Sequence, residues 1–197
     1  MNGFTSPFGE SADTFDDAGT FVPEHLPDPG PFLADHRVLD GDEHCAVHET
    51  AADLFEERGV YDMTFGYNLA RLNRDQRHPD AGYRYAVEEP AGDRSDAVLR
   101  AEFTPTTPFC PQSHTLAIGS FRAWNDLRER HEFDRVRIRV HPMHHRSSDI
   151  NDTLATLGER FAETGSVPDP ADVEGVVGSA DGSAGTGGRR PDLDAPF

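Results

Sequence analysis

Arg135-Val136-Arg137-Ile138-Arg139-Val140 alternates without exception between arginine and a β-branched residue. Successive side chains of a strand point to opposite faces, so Val136, Ile138 and Val140 form one apolar row and the three arginines the other. The hexapeptide therefore predicts a strand with one face on a core. C-terminal to it, Ile150, Leu154, Leu157 and Phe161 recur at i, i+4, i+7 and i+11, the stripe of an amphipathic helix. Ser147 or Ser148 opens that helix, Asp149 and Asp152 lie in its first turn, and Gly165 ends it, with Pro168 beyond. N-terminal to the strand, Leu116, Ala123 and Leu127, flanked by Ala117 and Trp124, mark another helix, and Pro111 suits its first turn.

Further upstream, Tyr83 to Val87 and Val98 to Phe103 alternate on either side of the turn-rich Pro90-Ala91-Gly92-Asp93 and predict a hairpin. Residues 60–73 read as one strand. Thr50, with Asp53 three residues later, resembles a capping box opening a short helix that Gly59 ends. The order helix, strand, hairpin, helix, strand, helix predicts an α+β fold, a small mixed β-sheet of about four strands with packed helices. Residues 1–40 show no period of 2 or 3.6 and read as a disordered N-terminal tail. Residues 166–197, rich in Gly, Ser and Asp, read as a second tail. The single domain is expected over 41–165, between acidic flanks.

The chain has 197 residues and a net charge of −18, from 36 acidic and 18 basic residues, every one of the latter arginine. The absence of lysine and the excess of Asp resemble the bias of halophilic microbes, in which concentrated salt screens self-repulsion. No basic face is available to neutralise phosphates, so neither nucleic acid nor an anionic membrane is an expected partner. The start lacks the basic and apolar pattern of a leader, and no apolar run approaches the ~18 residues a membrane helix needs. A soluble, cytoplasmic protein is expected, with Cys45 and Cys110 as free thiols.

Cys110 lies in Thr104-Pro105-Thr106-Thr107-Pro108-Phe109-Cys110-Pro111, between a strand and a helix start. Amide N–H groups at a helix start favour a thiolate and lower the thiol pKa, and two prolines stiffen the loop. Spacing alone leaves two readings open: a reactive thiol, or a small side chain packed under the sheet.

The stretch Glu102 to Cys110, then Thr115-Leu116-Ala117-Ile118-Gly119, then Arg135 to Ile138 and Pro142 to His145, resembles the SufT/MIP-type family of iron–sulfur cluster assembly factors, the metal-sulfur cluster biosynthetic, PaaD-like domain. The likeness spans residues 100–161 and suggests a divergent halophilic archaeal-type member. It matches Cys110 to the family's reactive cysteine, with Thr104, Thr106 and Pro108 in its T-P-T-x-P-x-C loop. His145 and Ser147 match the His and Ser of the turn before the last helix, and Asn151 and Leu154 match that helix's N-x-x-L. The family's leading D-P-E motif has no counterpart beyond Asp42-Glu43, and His144 replaces a small residue. The resemblance implies a non-enzymatic accessory factor that carries iron or an iron–sulfur cluster transiently. Client apoproteins and other assembly factors would be its partners, and a homodimer is an open arrangement.

Thiolate and imidazole suit soft and borderline metals, so Cys110, His114 and His145 are the candidate metal ligands. His44, His48, His141 and His144 are expected to be solvated. Arg135, Arg137 and Arg139 are expected to pair with the chain's own carboxylates. Two alternatives accompany the assembly reading: a thiol enzyme with Cys110 as nucleophile and His114 or His145 as base, and an interaction module without metal. No nucleotide-binding or common hydrolase motif occurs.

Overall fold

Val136, Ile138 and Val140 are buried, and the arginines between them are half-exposed, as the alternation requires. The computed structural model describes residues 14–89 and 96–168. In order, its elements are α1 (Pro31–Ala34), β1 (Arg37–Val38), α2 (Gly41–Arg58), β2 (Tyr61–Asp62), β3 (Tyr67–Asn68), β4 (Gly82–Val87), β5 (Val98–Thr104), α3 (Ser113–Asp126), β6 (Arg135–Val140) and α4 (Ser147–Thr164). A 3-10 turn, Leu69–Arg74, follows β3. The main sheet runs β1-β4-β5-β6, with β4 antiparallel to β1 and β5, and β6 parallel to β5 through the α3 crossover. The fold is α+β with a small mixed sheet and packed helices.

Helices α2, α3 and α4 cover one face of this sheet. There Phe55, Tyr83, Tyr85, Phe103, Phe121 and Trp124 are buried, each contributing about 1.5–3 kcal/mol of transfer free energy. The Tyr83 hydroxyl donates to Ser120 Oγ at 2.6 Å, and Ser120 donates in turn to the Leu116 carbonyl at 2.8 Å, so this polar pair is satisfied inside the core. Gly59 and Gly165 end α2 and α4 in the left-handed conformation, as their positions predict.

Several boundaries differ from expectation. Helix α2 begins at Gly41, not near Thr50, with Asp42 and Glu43 in its first turn. Thr50 is mid-helix, and its hydroxyl donates to the Ala46 carbonyl one turn back instead of capping. The strand expected over 60–73 is the ribbon β2–β3 followed by the 3-10 turn. Asp62 Oδ1 accepts from the N–H groups of Thr64 and Phe65, and Gly66 has φ +69, which together turn the chain back.

The largest correction concerns the tail expected over 1–40. Residues 14–40 belong to the fold, with Leu26, Leu33 and Leu39 buried, and lie partly on the sheet face opposite the three helices. The Arg100 guanidinium donates to the Phe32 carbonyl, and the buried Glu102 carboxylate accepts from Gly30 N–H at 2.6 Å. This segment follows the sheet as extended chain and single turns, so its apolar residues have no period to find. The folded region therefore reaches back at least to residue 14, 27 positions before residue 41. Residues 1–13 and 169–197, the rest of the two expected tails, lie outside the described residues, as does most of the β4–β5 turn (90–95). No helix among the described residues is long and apolar enough to cross a membrane.

Asparagines finish the strand edges. Asn125 of α3 donates to the Val136 carbonyl (2.9 Å) and accepts from its N–H (3.0 Å). Asn151 of α4 does the same for Val140, at 2.9 and 2.8 Å. Asn73 of the 3-10 turn pairs with Tyr83 at 2.7 and 2.6 Å. A Cβ on Gly82 would stand 2.2 Å from Asn73 Oδ1, so only glycine fits there. Asn125→Leu should lower stability by about 2–4 kcal/mol, because it orphans two buried backbone groups. Urea denaturation in concentrated KCl measures this, and a loss below about 1 kcal/mol would show that the edge does not depend on the amide.

Candidate functional site

The loop from Thr104 to Gln112 leaves the sheet beside the turn that opens α4. Thr104 and Pro105 are buried, Thr106 is half-buried, and Thr107, Pro108 and Phe109 are exposed. Cys110 is partly exposed. Helix α3 starts at Ser113, with Gln112 before it, so Pro111 stands outside the helix whose first turn it was expected to occupy. The intervening residues form turns in which Cys110 N–H donates to the Thr107 carbonyl and Ser113 N–H to the Cys110 carbonyl, both at 3.3 Å.

Two histidines of the α4 turn fasten this loop. His144 Nε2 donates to the Cys110 carbonyl at 3.1 Å, and its Nδ1 accepts from Arg146 N–H at 3.3 Å. A carbonyl can only accept, so the ring is the Nε2–H tautomer with both nitrogens used. His144 is 3% exposed, which corrects the expectation that it is solvated. His145 is exposed, and both its backbone N–H (3.0 Å) and its Nδ1 (2.8 Å) donate to the Pro108 carbonyl. Holding Nδ1–H on a carbonyl leaves Nε2 with the ring's lone pair, the arrangement that orients a metal-ligating imidazole. Its ring also lies 5.1 Å from that of Phe109.

Of the other residues singled out, Ser147 is the first residue of α4, and its N–H donates to the His144 carbonyl. His114 lies in the first turn of α3, where burial and then the Arg146 charge lower its pKa. His145 thus meets the Cys110 loop at Pro108, with His114 on the helix that follows. Among the described residues, no group of three or more His, Cys, Asp or Glu side chains could hold a metal ion. The large hydrophobic side chains left exposed among the described residues are Phe109 (71%) and Met63 (80%). Gln112 ties the β2–β3 turn to this corner by accepting from Met63 N–H and donating to Thr64 Oγ1.

The remaining histidines depart from expectation. His44 of α2 is 3% exposed, between Phe21 and Tyr85, with ring centroids 5.3 and 5.2 Å away. His48, one turn on, donates from Nε2 to the Ala70 carbonyl and accepts from the Tyr85 hydroxyl at Nδ1. Helical spacing points both inward, and the cover that buries His44 is the N-terminal segment without a readable period. His141 is half-buried, and burial lowers its pKa. Of the arginine row, Arg137 pairs with Glu88 at 3.3 Å, as expected, while Arg139 lies 5.5 Å from the Phe32 ring.

Burial pushes His44 down to about 3 and His48 to about 4, with His48, Arg84 and Arg74 as neighbouring charges that add to it. The unfolded chain, with imidazoles near 6.5, takes up protons first as pH falls. This contribution to stability is complete above about pH 6.5 and is lost progressively toward pH 4 and below. His44→Phe should therefore flatten the pH dependence of the urea midpoint between pH 7 and 4.5. A slope equal to that of the wild type would contradict the assignment.

A family model described as a domain of unknown function, DUF7998, matches residues 13–168. No curated protein sequence matches the chain.

Proposed function

We propose that this chain, which belongs to the DUF7998 family, assists iron–sulfur cluster assembly or delivery, with the Cys110 thiol as the transient attachment point. The observation that carries this reading is the His145 anchor. The Pro108 carbonyl, two residues from Cys110, takes up Nδ1–H and leaves Nε2 as a lone-pair donor held against the loop that carries the thiol. Iron or a cluster is the cargo. Cys110 supplies a thiolate ligand, His145 a neutral imidazole, and the remaining ligands come from the donor or the client. A site completed by its partner suits hand-over better than storage.

The surroundings support a docking role as well. Phe109 and Met63 give the corner an apolar rim, and exposed large apolar side chains are what a transient partner covers. Client apoproteins and other assembly factors are the partners this reading assigns, in a reducing, cytoplasmic setting where the thiol persists. The thiol-enzyme alternative has less support. Among the described residues no hydrogen bond joins the Cys110 thiol to His114 or His145, the two candidate bases, and His145 uses Nδ1 to hold the loop.

Anaerobic reconstitution with ferrous iron and sulfide, followed by iron analysis and capture of apo-ferredoxin as client, tests the proposal. Cys110→Ala should abolish iron retention and capture, and Cys45→Ala should leave both intact. His145→Ala should weaken iron retention by about tenfold or more. Equal loss in the two cysteine variants, or none in either, would overturn the assignment.

A further inference from the structure

A cavity of about 490 Å³ lies between α2, the 3-10 turn and the N-terminal segment, and none of its lining residues belongs to the Cys110 loop. Val22, Leu26 and Ala52 contribute apolar walls. His44 also lines it, and neither of its ring nitrogens has a hydrogen-bond partner among the described residues. Its Nδ1 is buried and unpaired, a costly arrangement, and Nε2 is the nitrogen left accessible to a guest. The neighbouring His48 cannot relieve it, since both of its own nitrogens are engaged.

The charges around the cavity are not evenly matched. Asp16 is satisfied by His25 at 2.6 Å and Gln76 at 2.7 Å. Eight of the fifteen described arginines pair with carboxylates; Arg71 and Arg74 are among the seven that do not, Arg71 being exposed over the Phe15 ring. Arg74 is half-buried, its Nε donating to the Asp16 carbonyl at 2.8 Å. This bond holds the guanidinium at the cavity and leaves its terminal N–H groups for a guest. Glu49 and Asp53 also line the cavity but stand exposed to water, which screens them.

We infer that this cavity binds a small organic acid, with an apolar body of ring size against Val22, Leu26 and Ala52, a polar atom at His44, and an anionic group at Arg74. The volume is in the range of small-molecule sites, and the apolar lining with a few convergent polar groups is their usual composition. Arginine recognises planar anionic groups through paired N–H donors. The site is independent of the Cys110 reading and stands or falls without it.

Titration of the native full-length chain with 1-anilinonaphthalene-8-sulfonate, followed by fluorescence, tests this. N-phenyl-1-naphthylamine, which has the same rings without the sulfonate, serves as the neutral control. One saturable sulfonate site per chain is expected, with unchanged far-UV circular dichroism. Arg74→Gln should weaken it about tenfold or more by removing a charge-assisted contact, and Ala52→Trp should block it. The neutral probe should bind more weakly and be indifferent to Arg74→Gln. Ala18→Trp, on the exposed rim, provides a second block should Ala52→Trp fail to fold. Non-saturable binding, equal affinity in wild type and all folded variants, or tighter binding of the neutral probe would overturn the inference.

Discussion

The pairing of asparagine side chains with strand backbone is the constraint from which the rest of the arrangement follows. A four-stranded sheet leaves outward-facing N–H and C=O groups on its last strand, and burying them unpaired costs roughly 1–3 kcal/mol each. Here Asn125 and Asn151 complete β6 at Val136 and Val140, and Asn73 completes β4 at Tyr83, beyond the reach of the two-residue strand β1. A carboxamide carries one donor and one acceptor side by side, so it can replace the edge of a neighbouring strand. Each pairing also fixes the rotation and height of the element that supplies it. Helices α3 and α4 are thereby locked to β6, and the 3-10 turn is locked to β4.

That locking sets the geometry of the Cys110 corner. Asn151 holds the second turn of α4 to Val140, the last residue of β6, so the connection between them is short and tightly held. The turn has to fold back over the loop leaving β5, which brings His144 to the Cys110 carbonyl and His145 to that of Pro108. The thiol's position is thus determined by hydrogen bonds to the backbone around it, through two histidines carried by a different element. The cavity beside α2 depends on the third asparagine in the same way. Asn73 and Arg74 are consecutive in the turn, so anchoring one at Tyr83 places the other beside the cavity.

The two sheet faces divide the charge problem of a very acidic chain. Helices cover the apolar face. On the other, Arg84, Arg100, Glu102 and Arg139 are partly or fully covered by the segment from Leu26 to Leu39. Burial raises the pKa of Glu102, while the Gly30 N–H bond acts against the shift. The mostly half-buried arginines find the Phe32 and Leu39 carbonyls and the Phe32 ring in that segment, and the carboxylates of Asp40 and Glu88 beside it. A stretch without apolar periodicity can therefore belong to the fold when its main task is to satisfy polar groups on a sheet.

Periodicity by itself determined the α+β class, the strand Arg135–Val140, the β4–β5 hairpin and the stripes of α3 and α4, because side-chain alternation and helical spacing are local properties of a chain. It also marked Cys110 as a thiol near a helix start, and the likeness of its loop to a known family drew attention to His145. Neither signal reached His144, Asn125 or Asn73. Whether a histidine is solvated or fastens a carbonyl, and whether an asparagine is a surface amide or a substitute strand edge, depends on what another element brings within hydrogen-bond distance. The same holds for His44, covered by the segment that carries Phe21, and for His48, engaged by Tyr85 and Ala70. Tertiary structure decided these cases, since burial and hydrogen-bond partnership are relations between segments and leave no mark on the spacing within one.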